Sequence, residues 1–460
     1  MTDMAGMSIT SSCFSSSILP FRTMDRHRKR GYSPRINRPS GTITSPSRVH
    51  KITEKLWPKL PLPSQLQKDP KKRIVITGMG LVSVLGNDVD SFYNKLLNGE
   101  SGISLIDKFD ASDYTVQIAG QVLDFSAEGY IDTTKDQHFD DSWRYCLVAT
   151  KKALQEANLS PQVLETFMIV GSGCGGIGSC SSTVDADLKQ EYEKASFLYS
   201  TTNVGSALLA METGFMGPTY SITTACSSAN YCFYAAANHI KTGEVDIMVA
   251  GGTEAGVLPC GVSGFMACKA LSSRNNEPQT ASRPWDKYRD GFVLSEGFGL
   301  LVMESLEHAN KRGAKIIAEY LGGAVTCDAH HPTDPCSDGL GISACITKSL
   351  LNGGVSPEEG FNPNAKTYDN ETQVNYINAH ATSTIKGDLA EINAIKKVFK
   401  DTSGIKMNGT KINDRAAIAA AGLEAIATIR AITTVNLEPE VTIDTIPNTK
   451  IKHDVNVDQQ

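Results

Sequence analysis

The chain has 460 residues, 40% of them hydrophobic, and a formal charge of −6. That length implies two domains or one large duplicated one, and the acidic balance excludes a nucleic-acid surface over the body and gives no reason for attraction to anionic membranes. Eleven cysteines without a CxxC spacing argue against a zinc knuckle, and no uncharged apolar run reaches the roughly 18 residues that span a bilayer.

The first fifty residues carry basic side chains from Arg22 to Arg48 against only Asp3 and Asp25, with serines from Ser8 to Ser47. This is the composition of an organelle transit peptide, and a merely disordered tail shares it. Pro58, Pro61 and Pro63 mark a linker, so residues 1–67 read as leader and linker, with order expected from about Lys72. Scattered free thiols downstream fit a reducing compartment.

From Arg73 strands and helices alternate. RIVITGMG reads as a buried strand, DVDSFYNKLLNG as an amphipathic helix with a Gly stop, SWRYCLVATKKALQEANL as a second helix, and TFMIVGSGCGG as a strand entering a Gly-rich turn. Helix GSALLAMETG, strand TYSITTAC, helix SSANYCFYAAANHIKTG and strands DIMVAGGTE and GFGLLVMES follow. VNYINAHATS then reads as strand and turn, and GDLAEINAIKKVFK as helix. The alternation predicts a layered α/β fold, and its two series suggest an internal duplication. The polar, aperiodic segment 360–373 interrupts the rhythm as an inserted surface loop.

Three features carry chemistry. Cys226 stands where strand TYSITTA meets a helix, so its thiol faces unpaired backbone N–H groups and the positive end of the helix dipole, which favour thiolate. A small packed cysteine is the alternative, and Cys232 in the same helix reads as core. His380, at the C-terminal edge of strand VNYINA, is placed to donate to a substrate carbonyl or orient a thiolate, and alone it reads equally as a structural residue. Gly171, Gly173 and Gly176 fit GxGxxG after a strand, which makes a nucleotide-binding oxidoreductase the rival reading, but no ribose-binding acid follows at the required distance.

The segments TACSSAN, GPTYSITTA, AGGTEA, ASRPWDKYRDGFVLSEGFGLLVMESLEHANKRGA and NYINAHATSTIKGDLAEINAIKKVF together resemble the β-ketoacyl-acyl carrier protein synthases, from about Arg73 to Val457. YCFYAAANHI, NAHATST and AEYLGGAVTCDAHH look most like the plant plastid synthase I branch. The resemblance implies a thiolase-like α/β fold of five αβαβα layers with two similar halves, here 72–322 with the nucleophile and 323–460. It implies a homodimer without a cofactor, working in the plastid stroma on acyl and malonyl forms of acyl carrier protein, with no nucleic-acid or membrane partner. The implied reaction passes an acyl group to cysteine. Malonyl-carrier protein then loses carbon dioxide, and its carbanion attacks the acyl-cysteine.

Carried over by resemblance, Cys226 is the nucleophile, His380 a catalytic histidine, Lys411 the active-site lysine and Glu391 the acid that engages it. Asn378 and Glu424 fall where some members hold a monovalent cation. The chain departs from the family where GHxxGAAGGLEA is expected and INDRAAIAAAGLEA stands, so the second histidine is replaced around Arg415 or Ala416. It also ends at HDVNVDQQ, where the family continues into a NSFGFGGHN-like turn and a last strand. Losing one positioned donor costs about a hundred- to a thousandfold in rate. A condensation-dead homologue that dimerises or only accepts acyl groups therefore stands as the second reading.

Overall fold

The computed structural model describes residues 6–8, 69–132, 139–159, 166–191, 197–331, 333–355, 374–402, 404–412, 420–434 and 441–442. Of the leader only the strand β1 (Gly6–Ser8) is described. The inserted segment 360–373, the altered stretch 413–419 and the end from 443 lie outside the described residues.

β2 (Ile74–Ser83) buries all ten of its residues, which is why its sequence runs apolar without alternation. In α1 (Val89–Leu97) the Asp88 carboxylate accepts from the Ser91 N–H at 2.9 Å, and Phe92, Tyr93 and Leu96 form the buried face. A small hairpin, β3 (Ile103–Leu105) and β4 (Ile118–Gly120), precedes α2 (Asp141–Glu156). Next come β5 (Phe167–Gly171), α3 (Ile177–Leu188), α4 (Val204–Thr213), β6 (Thr219–Tyr220), α5 (Ser228–Thr242) and β7 (Ile247–Glu254). α6 (Pro259–Ala267), β8 (Gly297–Ser305), α7 (Leu306–Lys311) and β9 (Ala318–Tyr320) complete the first series. The second contains α8 (Leu340–Asn352), β10 (Tyr376–Asn378), α9 (Ile385–Val398), β11 (Lys406–Asn408), α10 (Ala420–Thr434) and β12 (Val441–Thr442).

The first sheet has the order β6-β5-β7-β8-β2-β9, with β5 parallel to β6 and β7, and β8 antiparallel to β7 and β2. The second has the order β1-β10-β11-β12, with β10 parallel to both neighbours. α2 covers one face of the first sheet. α5 and α10 cover the other, packing through Phe233, Ala236, Ile426 and Ala427. α10 also lies against β1, so α5 and α10 form a middle layer between the sheets. α8 and α9 close the far side, where Ile346, Leu350, Ile392 and Ile395 meet Ile377 and Met407. The five layers are those expected.

The middle layer is drawn tight against the first sheet by two glycines. A Cβ on Gly299 of β8 would stand 2.5 Å from the Gly422 carbonyl carbon, and one on Gly422 of α10 would stand 2.3 Å from the Gly299 oxygen. Backbones meet there because neither residue has a side chain.

The structure differs from the sequence reading in places. TYSITTAC is a strand only at Thr219–Tyr220, and the rest becomes the approach to Cys226. α3 buries only Ala186 and so carries no apolar stripe to announce it, while α6 is apolar nearly all round.

Candidate active site

After β6 the chain turns through a 3-10 segment, Ala225–Ser227, straight into α5. Ala225 has φ +48°, a left-handed conformation that costs an alanine about 1–2 kcal/mol, immediately before Cys226. The serines that follow hold this bend. Ser228 Oγ accepts from the Thr224 N–H at 3.0 Å and donates to the Ala225 carbonyl at 2.7 Å, and Ser227 Oγ donates to the Thr224 carbonyl at 2.8 Å. Gly171 lets β5 approach, since a Cβ there would lie 2.8 Å from Ser228 Cβ.

The Cys226 thiol is half-buried. Burial pushes its pKa up, with the Lys411 charge and its own backbone N–H pulling the other way and Glu254 adding to the rise. The helix-start argument therefore names a real contribution but not the dominant one, and the resting sulfur holds its proton.

His380 follows β10 at the start of a sharp turn whose next residue, Ala381, has φ +41°. Left-handed backbone thus flanks both Cys226 and His380. Glu391 of α9 clamps the turn, accepting from the His380 N–H at 2.7 Å and the Ala381 N–H at 2.9 Å. Asp388, one turn earlier, accepts from the Ser383 and Trp285 N–H groups at 3.0 and 2.9 Å and pairs with Arg289. Burial raises Asp388 to about 6 and also raises Glu391. The His380 ring is driven well below its ordinary range by burial, then by the Lys411 charge, so it is neutral. Its Nδ1 has no hydrogen-bond partner among the described residues.

Lys411 lies in the turn Thr410–Ile412 after β11, 3% exposed, with Nζ paired to Glu424 of α10. Burial lowers its pKa, while Cys226, Glu391 and Asp388 act to hold its charge. The structure thus places Cys226, His380, Lys411 and Glu391 in one electrostatic neighbourhood. Lys411 pairs with Glu424, and Glu391, whose charge also acts on Lys411, grips the histidine turn.

Asn378 Nδ2 donates to Thr410 Oγ1 at 2.8 Å and to the Glu424 carbonyl at 3.3 Å. Asn378 Oδ1 and Glu424 Oε2 are buried without hydrogen-bond partners among the described residues. Two hard oxygen atoms with unused lone pairs fit a monovalent cation. No cluster of three His, Cys, Asp or Glu side chains suited to a metal occurs among the described residues.

The glycine-rich turn after β5 accounts for the nucleotide rival. The Gly173 and Cys174 N–H groups both donate to Glu254 Oε2 at 3.1 Å. An acid carried by the protein itself occupies the donors a phosphate would need. Sequence reasoning missed Glu254 and Asp388. Their signal is acid placement: Glu254 ends a buried strand, and Asp388 starts the helix after the His380 turn.

Residues 71–309 match the family described as beta-ketoacyl synthase, N-terminal domain, and residues 364–444 match beta-ketoacyl synthase, C-terminal domain. The chain is 58% identical over 410 residues to 3-oxoacyl-[acyl-carrier-protein] synthase I, chloroplastic, of Arabidopsis thaliana, covering 85% of this chain and 84% of that protein. It is 56% identical over 414 residues to the protein of the same name from Hordeum vulgare, covering 85% and 87%. Among solved structures, the ishigamide ketosynthase/chain length factor aligns with a TM-score of 0.70 at 30% identity, over 79% of this chain and 86% of that one. The type II ketosynthase AntDE, in complex with the acyl-carrier protein AntF, aligns at 0.66 and 30% over 82% and 90%. The fold is thiolase-like, and this chain belongs to the β-ketoacyl synthase family.

Proposed function

We propose that this chain is a plastid 3-oxoacyl-acyl carrier protein synthase, condensing malonyl-acyl carrier protein with a cysteine-bound acyl chain in fatty-acid biosynthesis. The observation that carries the reading is the convergence of Cys226 from the first half, residues 72–322, with His380 and Lys411 from the second, residues 323–460.

Cys226 attacks the acyl thioester. Its sulfur loses a proton and forms a new thioester, and the carrier thiol leaves. The nearby Lys411 charge favours the thiolate this step requires. Malonyl thioester then loses carbon dioxide, and negative charge builds on its carbonyl oxygen. A neutral His380 offers one ring N–H to that oxygen, and Glu391 holds the turn that aims it. The resulting carbanion attacks the acyl carbonyl and releases Cys226. Asn378 and Glu424 would hold a monovalent cation through the Asn378 Oδ1 and the Glu424 Oε2 that Lys411 leaves unused.

Acyl carrier protein is the partner, as in the AntDE:AntF complex. A homodimer is supported by the edge of the first sheet at β6, which pairs only with β5 among the described residues and beside which Met211 and Met216 stand 79% and 78% exposed.

The test supplies purified protein with acyl- and malonyl-acyl carrier protein while intact mass and carbon dioxide release are followed. Acylation lost in Cys226→Ala, together with carbon dioxide release, is expected. Acylation without release would favour the condensation-dead reading, and no acylation of the wild type would sink both.

A further inference from the structure

Glu254 has no part in the steps above, yet it is fully buried at the end of β7, facing the Cys226 segment. Its Oε2 gathers the Gly173 N–H, the Cys174 N–H and, at 3.5 Å, the Ser172 hydroxyl. Its Oε1 is buried with no hydrogen-bond partner among the described residues. The turn it grips is tied to the approach to Cys226, because the Ser172 N–H donates to the Ile222 carbonyl at 3.3 Å. The carboxyl at the end of β7 thus holds the turn after β5, and that turn holds the segment leading to Cys226.

We propose that Glu254 is a positioning residue, whose buried carboxyl pins the Ser172–Cys174 turn against the Cys226 bend and sets the field in which the thiol ionises. The functional consequence rests on Cys226 being the nucleophile. The titratable groups around Glu254 are Asp140 from the cap of α2, Cys174 from the β5 turn and Cys226 itself. Burial raises Glu254 to about 8, with Asp140 adding to the rise and the N–H groups of Cys174, Gly173 and Ala255 opposing it. Once ionised, Glu254 places a negative charge beside a sulfur that must itself become negative. Cys174 feels the same charge and is pushed up to about 12, burial being the larger cause.

The test is the pH profile of Cys226 alkylation by iodoacetamide in the full chain, read residue by residue by mass spectrometry. In the wild type the rate should rise with pH and bend to a shallower slope near pH 8, where Glu254 ionises and Lys411, brought down to about 8, loses the charge that favours the thiolate. Glu254→Gln should leave only the Lys411 part of the bend and speed alkylation about tenfold above it, the effect of about one pKa unit on a thiol. Glu254→Asp, which keeps the charge on a shorter arm, should restore the full bend.

A wild-type profile without a bend overturns the proposal and needs no variant to fold. Superimposable wild-type and Glu254→Gln profiles also overturn it. Exposing the wild type to acyl-acyl carrier protein separates the two ideas: an unacylated Cys226 sinks the nucleophile reading, while the alkylation profile still reports on Glu254.

Discussion

The ammonium of Lys411 rests on one carboxylate oxygen of Glu424, with both side chains almost wholly buried, while the other carboxylate oxygen has no hydrogen-bond partner among the described residues. Removing one member of such a pair leaves the other charge uncompensated. Lys411→Ala is therefore expected to destabilise the protein by about 3–5 kcal/mol, measured by denaturant unfolding. A loss below about 1 kcal/mol would mean the pair is not buried in solution.

The same unfilled oxygens give a cation prediction. The melting temperature should rise on titrating potassium chloride beyond the rise seen with equal choline chloride, and Glu424→Gln should abolish the difference. Identical curves for the two salts in the wild type would remove the cation from this site.

His380 gives a pH prediction. Its folded pKa lies well below the unfolded value of about 6.5, so below that pH the unfolded chain takes up a proton that the folded chain refuses. This residue makes stability fall as pH drops below about 6.5, and His380→Asn should flatten that part of the stability curve. The same substitution is expected to slow carbon dioxide release about a hundred- to a thousandfold while Cys226 is still acylated.

Gly171→Ala would place a methyl 2.8 Å from Ser228 Cβ and its carbonyl oxygen. The expected outcome is a loss of about 1–3 kcal/mol and slower acylation of Cys226, because the bend that presents the sulfur must shift. Gly243→Ala at the end of α5 has open space but φ +75°, so it should cost about 1 kcal/mol and leave acylation unchanged.

If β6 and its exposed methionines form a subunit interface, Met211→Lys with Met216→Lys should lower the mass found by sedimentation. An unchanged mass would move the interface elsewhere.

Much of the fold was legible in the sequence because its signals are local. Asp88 caps α1, Gly243 stops α5 in left-handed backbone, and the buried runs of β2, β7 and β8 are too apolar for loops. His380 was legible as following a strand and Cys226 as preceding a helix, although the strand before Cys226 stops at Tyr220. Their electrostatics were not, because burial depends on segments far away in the chain. The helix-start argument for a thiolate at Cys226 omitted that cost, and the Glu424 partner of Lys411 depends on how α10 packs. α3 was invisible for another reason, having almost no buried face.

The backbone contact between Gly299 and Gly422 bears on when the protein becomes reactive. The strand it anchors is translated long before the helix it receives, and Lys411 and Glu424 arrive with the later part. A ribosome therefore releases the Cys226 segment well ahead of the segments that carry His380 and Lys411. Until the tertiary fold is complete the sulfur has neither the burial that raises its pKa nor the Lys411 charge that opposes that rise, so the environment of Cys226 is set by the last part of the chain to arrive.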